Sequence, residues 1–331
     1  MSGQAERAIA AALALALGAA AHGAEDGAVA RLRTAEIFRP ADEAEEAVLG
    51  RPLALALDGG GGALFVADAQ DCAVKVFSRD GRFLRAFGRK GGGPGELSFP
   101  SGLAVAAGRV VVADKFNSRI QVFDRDGALT GAFPVAFLPD KVLALAADAI
   151  LVTGNPTGKR PGEPLLHVFD AAGRLRWEGL EARSSGDRIY DAFLNMVLAL
   201  PAGGSDFFVV FRSGERTIFR FAATGASAGE IAVDERHASR PLDLPFKGGK
   251  RRLPGFCWAA AFDRGFLYLS APAPVDGRDL GPGREISVVD GGGRLRAVIG
   301  LGRAVHRFVV DGDRIFAIDD EGELRIFEVV R

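Results

Sequence analysis

A short apolar strand that ends in a polar residue recurs six times along this chain. The copies are ALFVAD (63–68), RVVVAD (109–114), AILVTG (149–154), FFVVFR (207–212), FLYLSA (266–271) and RIFAID (314–319). A second apolar strand follows each copy after a variable loop: VKVF (74–77), IQVF (120–123), LHVF (166–169), IFRF (218–221), ISVV (286–289) and LRIF (324–327). Self-similarity at a spacing of ~40–50 residues is typical of propellers and solenoids.

Further strands complete each unit. An apolar strand precedes each copy: LALAL (53–57), GLAVA (102–106), KVLAL (141–145), NMVLAL (195–200), CWAAAF (257–262) and RFVV (307–310). Tight turns such as Asp80-Gly81 and Asp126-Gly127 lead to a fourth strand in most units, because Gly accepts the positive φ of a hairpin turn. Six units fill 51–331 at about 47 residues each. The sequence therefore predicts an all-β fold, a six-bladed β-propeller of four-stranded antiparallel blades.

The last unit lacks a clear fourth strand, because the chain ends shortly after LRIF (324–327). The segment VARLRTAEIF (29–38) precedes the first complete unit and has no partner of its own. An open sheet edge would template aggregation. We therefore expect this N-terminal strand to close the ring by pairing with the C-terminal blade.

The segment FGRKGGGPGELSFPSGLAV (87–105), followed by VVVADKFNSRIQVFDRDG (110–127), resembles the NHL repeat. In that family Asp114, Asn117 and Arg119 would tie the loop to neighbouring strands, so the resemblance implies a structural role for them. In the first unit, Cys72 and Val74 are read as replacing the Asn-x-Arg pair. The resemblance implies a six-bladed propeller but not one activity, since this fold carries binding modules, lyases and lactonases alike.

The N-terminus has the pattern of a secretory signal peptide. Arg7 precedes an apolar run, 8–21, that is followed by small residues. This run is too short to cross ~30 Å of hydrocarbon as a helix, but it suits a signal-peptide core. An Ala-rich helix is the alternative. We predict a signal peptide at 1–23, an N-terminal segment with the ring-closing strand at 24–50, and the propeller at 51–331. The mature protein would be periplasmic or secreted, without an integral membrane segment.

The charge balance and the two cysteines bear on nucleic-acid binding and on disulfide formation. The 41 Lys+Arg and 42 Asp+Glu residues nearly cancel, so the chain has no overall basic footprint for nucleic acid. Cys72 and Cys257 would lie in non-adjacent blades, whereas a disulfide needs Cα atoms within ~7 Å. We expect two unpaired thiols in a monomer.

Candidate catalytic groups are scattered. His167, His237 and His306 fall in different predicted blades, which does not favour a zinc site. On the inner strands Asn195 and Asp263 are the candidate oxygen ligands for a hard metal, and such metals prefer several oxygens. Asp319, Asp320 and Glu321 are expected to be solvated hairpin residues. The sequence thus predicts no catalytic residues, no metal and no cofactor.

Long connections at 154–165, 180–191, 233–256 and 271–285 are expected on one face of the ring, where binding residues often lie. One of them contains a basic cluster that could bind carboxylate or phosphate groups. Its candidate residues are Lys247, Lys250, Arg251 and Arg252, with Arg236 and Arg240 upstream. A mobile, solvated basic loop is the alternative interpretation.

These observations favour an exported, non-enzymatic binding or scaffolding propeller that engages a protein or a glycan through its loop-rich face. The alternative is a propeller enzyme, either a metal-dependent lactonase-like hydrolase or a lyase, with its site at the central channel. The two classes differ in the number of metal-binding side chains on the inner strands, and this sequence offers few of them.

Overall fold

A computed structural model describes residues 29–38, 45–59, 62–145, 148–154, 162–237, 240–246, 249–275 and 278–330. The predicted signal peptide, 1–23, lies outside the described residues. Most of the described chain is β-strand, which confirms the all-β prediction. No helix within the described ranges is long and apolar enough to span a lipid bilayer.

The described residues begin with one strand, β1 (Ala30–Phe38), and continue with four antiparallel four-stranded sheets. The first sheet contains β2 (Pro52–Leu57), β3 (Leu64–Asp68), β4 (Ala73–Phe77) and β5 (Phe83–Phe87). The second contains β6 (Pro100–Ala106), β7 (Arg109–Asp114), β8 (Arg119–Asp124) and β9 (Leu129–Pro134). The third contains β10 (Pro139–Leu145), β11 (Ala149–Gly154), β12 (Pro164–Asp170) and β13 (Leu175–Glu181). The fourth contains β14 (Val197–Pro201), β15 (Phe207–Phe211), β16 (Thr217–Phe221) and β17 (Ser227–Ala232).

A two-stranded hairpin and a large sheet complete the chain. The hairpin pairs β18 (Arg240–Phe246) with β19 (Gly249–Gly255). The large sheet contains β20 (Ala259–Asp263), β21 (Phe266–Val275), β22 (Arg278–Val289), β23 (Leu295–Gly300), β24 (Val305–Asp311), β25 (Arg314–Asp319) and β26 (Leu324–Val330). Its strand order is β20-β21-β22-β23-β1-β26-β25-β24.

Strand β1 joins the two ends of the described chain. It pairs antiparallel with β26, where Thr34 lies opposite Val329, and parallel with β23, where Ala30 lies opposite Ala297. Both edges of β1 are therefore used, and the edge of β26 is covered. The predicted pairing of the N-terminal strand with the last unit is confirmed.

The first strand of each unit lies innermost. Strands β2, β6, β10, β14, β20 and β24 contact one another in that order, and β24 contacts β2. They surround a central channel of about 580 Å³. Second strands such as β3 and β7 are buried almost throughout, because the neighbouring sheets cover both of their faces. Phe65 and Val112, for example, belong to one core cluster between the first two sheets.

The connections that precede the inner strands carry the remaining elements, on one face of the ring. They include the helix α1 (Arg188–Leu194) and the β18–β19 hairpin, while β21 and β22 extend well beyond their neighbours. Tyr190 of α1 packs against Leu253, and its hydroxyl donates to the Arg252 carbonyl at 3.4 Å. The long connections at 233–256 and 271–285 are thus largely strands in their described residues, since strand pairing satisfies their backbone groups. Two short 3-10 helices lie at Glu45–Ala47 and Lys115–Asn117.

Arg119 ties the glycine-rich connection to the second sheet. Its Nε donates to Asp114 Oδ2 at 2.8 Å, and its Nη atoms donate to the carbonyls of Gly92, Gly93 and Glu96 at 2.9, 2.8 and 2.7 Å. Asn117 Nδ2 donates to the same Asp114 oxygen at 2.8 Å. The structural role expected for these three side chains is confirmed.

In the first sheet, Lys75 lies beside the buried aspartate, as Arg119 does in the second sheet. Cys72 and Ser118 both have left-handed backbone, with φ of 53° and 49°, so they are equivalent positions. The assignment of Cys72 and Val74 to the Asn-x-Arg positions was therefore wrong by one residue, and Asp71 and Ala73 occupy them. Lys75 Nζ instead lies 3.6 Å from the buried carboxylate of Asp68. Both cysteines are buried and unpaired, as expected.

Asp319 corrects another expectation. Asp320 and Glu321 are exposed, but Asp319 is fully buried at the end of β25. Its Oδ2 accepts from Arg325 Nε at 2.8 Å, and its Oδ1 accepts the backbone N–H groups of Glu321 and Glu323 at 3.0 and 2.9 Å. Since these bonds replace hydration, Asp319 is a structural residue and not a solvated one.

Candidate ligand-binding site at the channel mouth

Three cationic side chains gather at one mouth of the central channel. Lys141 lies near the start of β10, Arg307 lies near the start of β24, and Arg212 directly follows β15. All three line a cavity of about 160 Å³, together with Asp140 and Asn195. The ring geometry brings them together, because inner strands that begin on the same face converge on one axis.

Asp140 balances part of this charge. Its two oxygens lie 3.1 Å from Lys115 Nζ and 3.6 Å from Lys141 Nζ. Lys141 Nζ also donates to the Ser101 carbonyl at 3.0 Å. One carboxylate is thus shared between two ammonium groups, which leaves the cavity with an excess of positive charge.

The two arginines have neutral partners. Arg307 donates from Nε to the Leu53 carbonyl at 3.0 Å and from Nη1 to its neighbour's carbonyl, that of His306, at 2.8 Å. The Arg212 guanidinium carbon lies 4.2 Å from the centre of the Trp258 ring. Within the described part of the chain, neither arginine has a carboxylate within ion-pair distance.

Burial changes the protonation equilibria of the cavity. Burial lowers the pKa of Lys141 to about 8, in spite of the opposing effect of Asp140. Burial likewise lowers the pKa of Arg212 to about 10, and nearby Arg307 adds to that effect. For Asp140, burial alone would raise the pKa, but Lys141 and Lys115 outweigh it and hold the pKa below its usual value. Partly desolvated, uncompensated cations favour an anionic ligand.

An apolar cavity of about 210 Å³ adjoins the cationic one. Met196 and Arg212 line both of them. The other lining residues of the apolar cavity are Phe193, Ser213, Leu253, Cys257, Trp258 and Pro272. Burial raises the pKa of the Cys257 thiol to about 12, so this sulfur is not a nucleophile near neutral pH.

Trp258, which lines the apolar cavity, has a polar atom that no described residue satisfies. Its Nε1 is buried and has no hydrogen-bond acceptor among the described residues. Buried indole N–H groups normally have a partner.

The basic residues predicted from the sequence fall outside this cluster. Lys247 lies outside the described residues, as do the side chains of Arg240 in β18 and of Lys250 and Arg251 in β19. Arg252 is exposed on the hairpin. Arg236 pairs with Asp234, to which its Nε donates at 3.0 and 3.1 Å, and hydrogen bonding to Asp234 raises the pKa of Arg236.

The candidate oxygen ligands are far apart in the fold. Asn195 lies at the cationic mouth, where its amide bonds to both backbone groups of Arg183 at 2.8 Å. Asp263 ends an inner strand at the opposite mouth and accepts the Gly312 N–H at 2.9 Å. Among described residues, the carboxylates of Asp319, Glu321 and Glu323 cluster, but Arg325 already pairs with all three.

The histidines occupy separate structural positions. His306 is on the inner strand β24, and His167 on β12 stacks on Phe137 with ring centres 3.9 Å apart. Burial lowers the pKa of His167 to about 4. His237 lies 2.9 Å from both Ser287 Oγ and the Phe256 carbonyl. The structure does not gather them into a ligand set.

Sequence reasoning missed the cationic cluster although two of its members were visible. Lys141 and Arg307 each open an otherwise apolar inner strand, KVLAL and RFVV. A charged residue at the same position of two repeats is a detectable signal.

Sheets stacked around a channel, each with its first strand innermost, define a β-propeller. The sequence model of the NHL repeat matches residues 97–123, the segment that contains the Arg119 network. The chain therefore has a β-propeller fold and contains a segment that matches the NHL repeat. A comparison with curated protein sequences finds no match.

Solved structures share the fold at low sequence identity. A Bacteroides fragilis protein named as a candidate exported protein is 11% identical with a TM-score of 0.58, over 93% of this chain and 97% of that one. The WD40 β-propeller domain of Doa1 is 11% identical with a TM-score of 0.53, over 85% and 80%. BamB from Moraxella catarrhalis is 12% identical with a TM-score of 0.50, over 84% and 85%.

Proposed function

We propose that this chain is an exported, six-bladed binding propeller without enzymatic activity, and that it engages a protein partner through the face around the cationic channel mouth. The observation that carries the proposal is the meeting of Lys141, Arg212 and Arg307 at that mouth, where Asp140 is the one carboxylate among the described lining residues. Such unbalanced cations act as binding groups because their charge-assisted hydrogen bonds to an anionic group of a partner are stronger than their hydrogen bonds to water.

The count of six blades is supported by the inner strands. Six of them surround the channel within the described ranges, and each contacts its two neighbours. In this interpretation the eight-stranded sheet is two blades, β20–β23 and β24–β26 with β1, joined because β1 also pairs with β23.

The placement of the long connections supports binding on this face. Helix α1 and the β18–β19 hairpin border the apolar cavity through Phe193 and Leu253. Binding residues concentrate on connections that a rigid scaffold positions. Between its two mouths, the channel is lined by Leu, Ala and Val side chains, which favours a binding protein over a metal-dependent hydrolase.

The basic hairpin extends the same proposal. Arg252 of β19 is exposed next to α1, and Lys250 and Arg251 are its neighbours in the strand. We include Lys247, Lys250, Arg251, Arg252, Arg236 and Arg240 as a peripheral region that attracts acidic partners over about one Debye length, ~8 Å at physiological salt.

The experiment is affinity capture from the native envelope fraction with three forms of the immobilised mature protein. The first is the wild type, and the second carries Lys141→Gln and Arg307→Gln. The matched control carries Arg264→Gln, which removes an exposed positive charge at the opposite mouth. Captured polypeptides and glycans are identified and quantified by mass spectrometry.

We expect the double variant to lose about tenfold or more of the specific partner, with an unchanged fold, while the Arg264→Gln control retains it. Equal recovery by the double variant and the wild type would show that partners bind elsewhere. Recovery of glycan alone would replace the protein partner with a carbohydrate one.

A further inference from the structure

We infer that the two adjoining cavities recognise a carboxylate that carries an apolar substituent, as presented by the C-terminal residue of a polypeptide. The cationic cavity would hold the carboxylate and the apolar cavity would hold the side chain. This inference rests on the proposed binding function, and it names the group by which the partner is recognised.

The charge in the first cavity fits one carboxylate. Arg212 and Arg307 present planar guanidinium groups, which match a carboxylate with two parallel hydrogen bonds. Lys141 adds a third cation, and Asp140 offsets one charge. A bound anion would compensate the cations that protein carboxylates leave unbalanced.

The size of the second cavity fits one large apolar side chain. Its volume is about 210 Å³, whereas a protein cavity of about 150 Å³ is known to bind benzene. Phe193, Leu253, Trp258 and Pro272 give it aromatic and aliphatic walls. A phenyl or branched aliphatic group would therefore fit.

Arg212 connects the two cavities. It lines both, and its guanidinium lies over the Trp258 ring at 4.2 Å. A carboxylate held by Arg212 consequently has its substituent within reach of the apolar cavity.

A chain terminus supplies this combination directly. The last residue of a polypeptide carries its carboxylate and its side chain on the same Cα atom, so both groups lie within a few bonds. A free aromatic or aliphatic acid has the same two groups. The chemistry is therefore shared, and the choice between the two sources is made by experiment.

The test is calorimetric titration of the mature protein with four probes. They are a short peptide that ends in Phe with a free carboxylate, the same peptide as its C-terminal amide, a peptide that ends in Gly with a free carboxylate, and 3-phenylpropionate. Variants Arg212→Gln and Arg264→Gln are titrated with the first probe. The amide comparison uses the wild type, so it stands even where Arg212→Gln fails to fold.

We expect the Phe-terminated acid to bind about tenfold or more tightly than its amide, because a charge-assisted pair is lost in the amide. It should also bind about tenfold or more tightly than the Gly-terminated acid, because apolar burial is lost. Arg212→Gln should weaken binding to a similar extent, and Arg264→Gln should leave it unchanged.

Equal binding of the acid and the amide would overturn the role of the cationic cavity, and equal binding of the Phe and Gly peptides would overturn that of the apolar cavity. Binding of 3-phenylpropionate without the peptide would reject the polypeptide source in favour of a small acid. Failure of all four probes, while partner capture still depends on Lys141 and Arg307, would refute this inference and leave the proposed function intact.

Discussion

The Arg212 guanidinium lies 4.2 Å from the centre of the Trp258 ring, and in the described chain no carboxylate pairs with it. An aromatic face stabilises a cation without neutralising it. Arg212 is thereby held in place at the boundary of the two cavities and keeps its capacity to bind an anion. This arrangement distinguishes the channel mouth from the ion-paired arginines of the blades, such as Arg119 and Arg325.

The first prediction concerns pH. Burial lowers the pKa of Lys141 from its ordinary 10.5 to about 8, with Asp140, Lys115, Arg212 and Arg307 facing it. The pKa of Lys141 is lower in the folded state than in the unfolded state, so below about pH 8 the charged lysine lowers the free energy of unfolding by its full amount. Between about pH 8 and pH 10.5 the folded state loses this proton while the unfolded state keeps it, and the free energy of unfolding rises again. Lys141→Gln should therefore raise the melting temperature more at about pH 7 than at about pH 10.

The positive charge of Lys141 should also strengthen the binding of an anionic ligand. The rise in melting temperature that the Phe-terminated peptide with a free carboxylate produces should be larger at about pH 7 than at about pH 9.5, because Lys141 loses its proton in between. Lys141→Gln should remove most of that difference. A ligand effect that is independent of pH in the wild type would contradict the assignment of Lys141 to the site.

The second prediction concerns ring closure. A chain that starts at Glu45 lacks β1 but keeps the 3-10 helix with its buried Ala47. It should melt well below a control chain that starts at Val29, or aggregate, because β26 and β23 lose their shared partner. The loss should be a large part of a typical stability of ~5–15 kcal/mol. Equal melting temperatures in thermal unfolding would show that β1 is dispensable.

The third prediction concerns the NHL network. Arg119→Met leaves the fully buried Asp114 without its ion-pair partner and removes one donor from each of three loop carbonyls. The expected loss is about 3 kcal/mol of unfolding free energy, measured by urea denaturation. Arg89→Met is the matched control in the same segment, since Arg89 is 81% exposed in its pair with Glu96. It should change stability little, and similar losses in both variants would contradict the role of Arg119.

The fourth prediction concerns export. Arg7 and the apolar run at 8–21 have the signal-peptide pattern. N-terminal sequencing of the protein from its native host should start between His22 and Asp26. An intact Met1 in the cytosolic fraction would refute export.

Much of the fold could be predicted because each unit repeats a local pattern. Strand β7 reads as RVVVAD and is buried on both faces, and β1 was predicted from an unpaired strand before the repeats. The β18–β19 hairpin was missed because RPLDLPF and GKRRLPG contain prolines and consecutive charges in place of strand alternation.

The candidate site could not be predicted as a whole, for a geometric reason. Arg212 follows a second strand, whereas Lys141 and Arg307 begin inner strands. Their meeting depends on how the sheets are arranged around the channel, which residue spacing does not encode. The apolar cavity depends further on the packing of α1 against the hairpin through Tyr190 and Leu253.

Hydrogen exchange with and without the captured partner tests most directly whether the cationic mouth is the binding face. Residues 188–196, 253–258 and the segment after β15 at 212–213 should become protected when the partner binds. The turns at the opposite mouth, 106–109, 263–266 and 311–314, should exchange unchanged. Protection confined to those turns, with 188–196 and 253–258 unaffected, would contradict the assignment of the binding face.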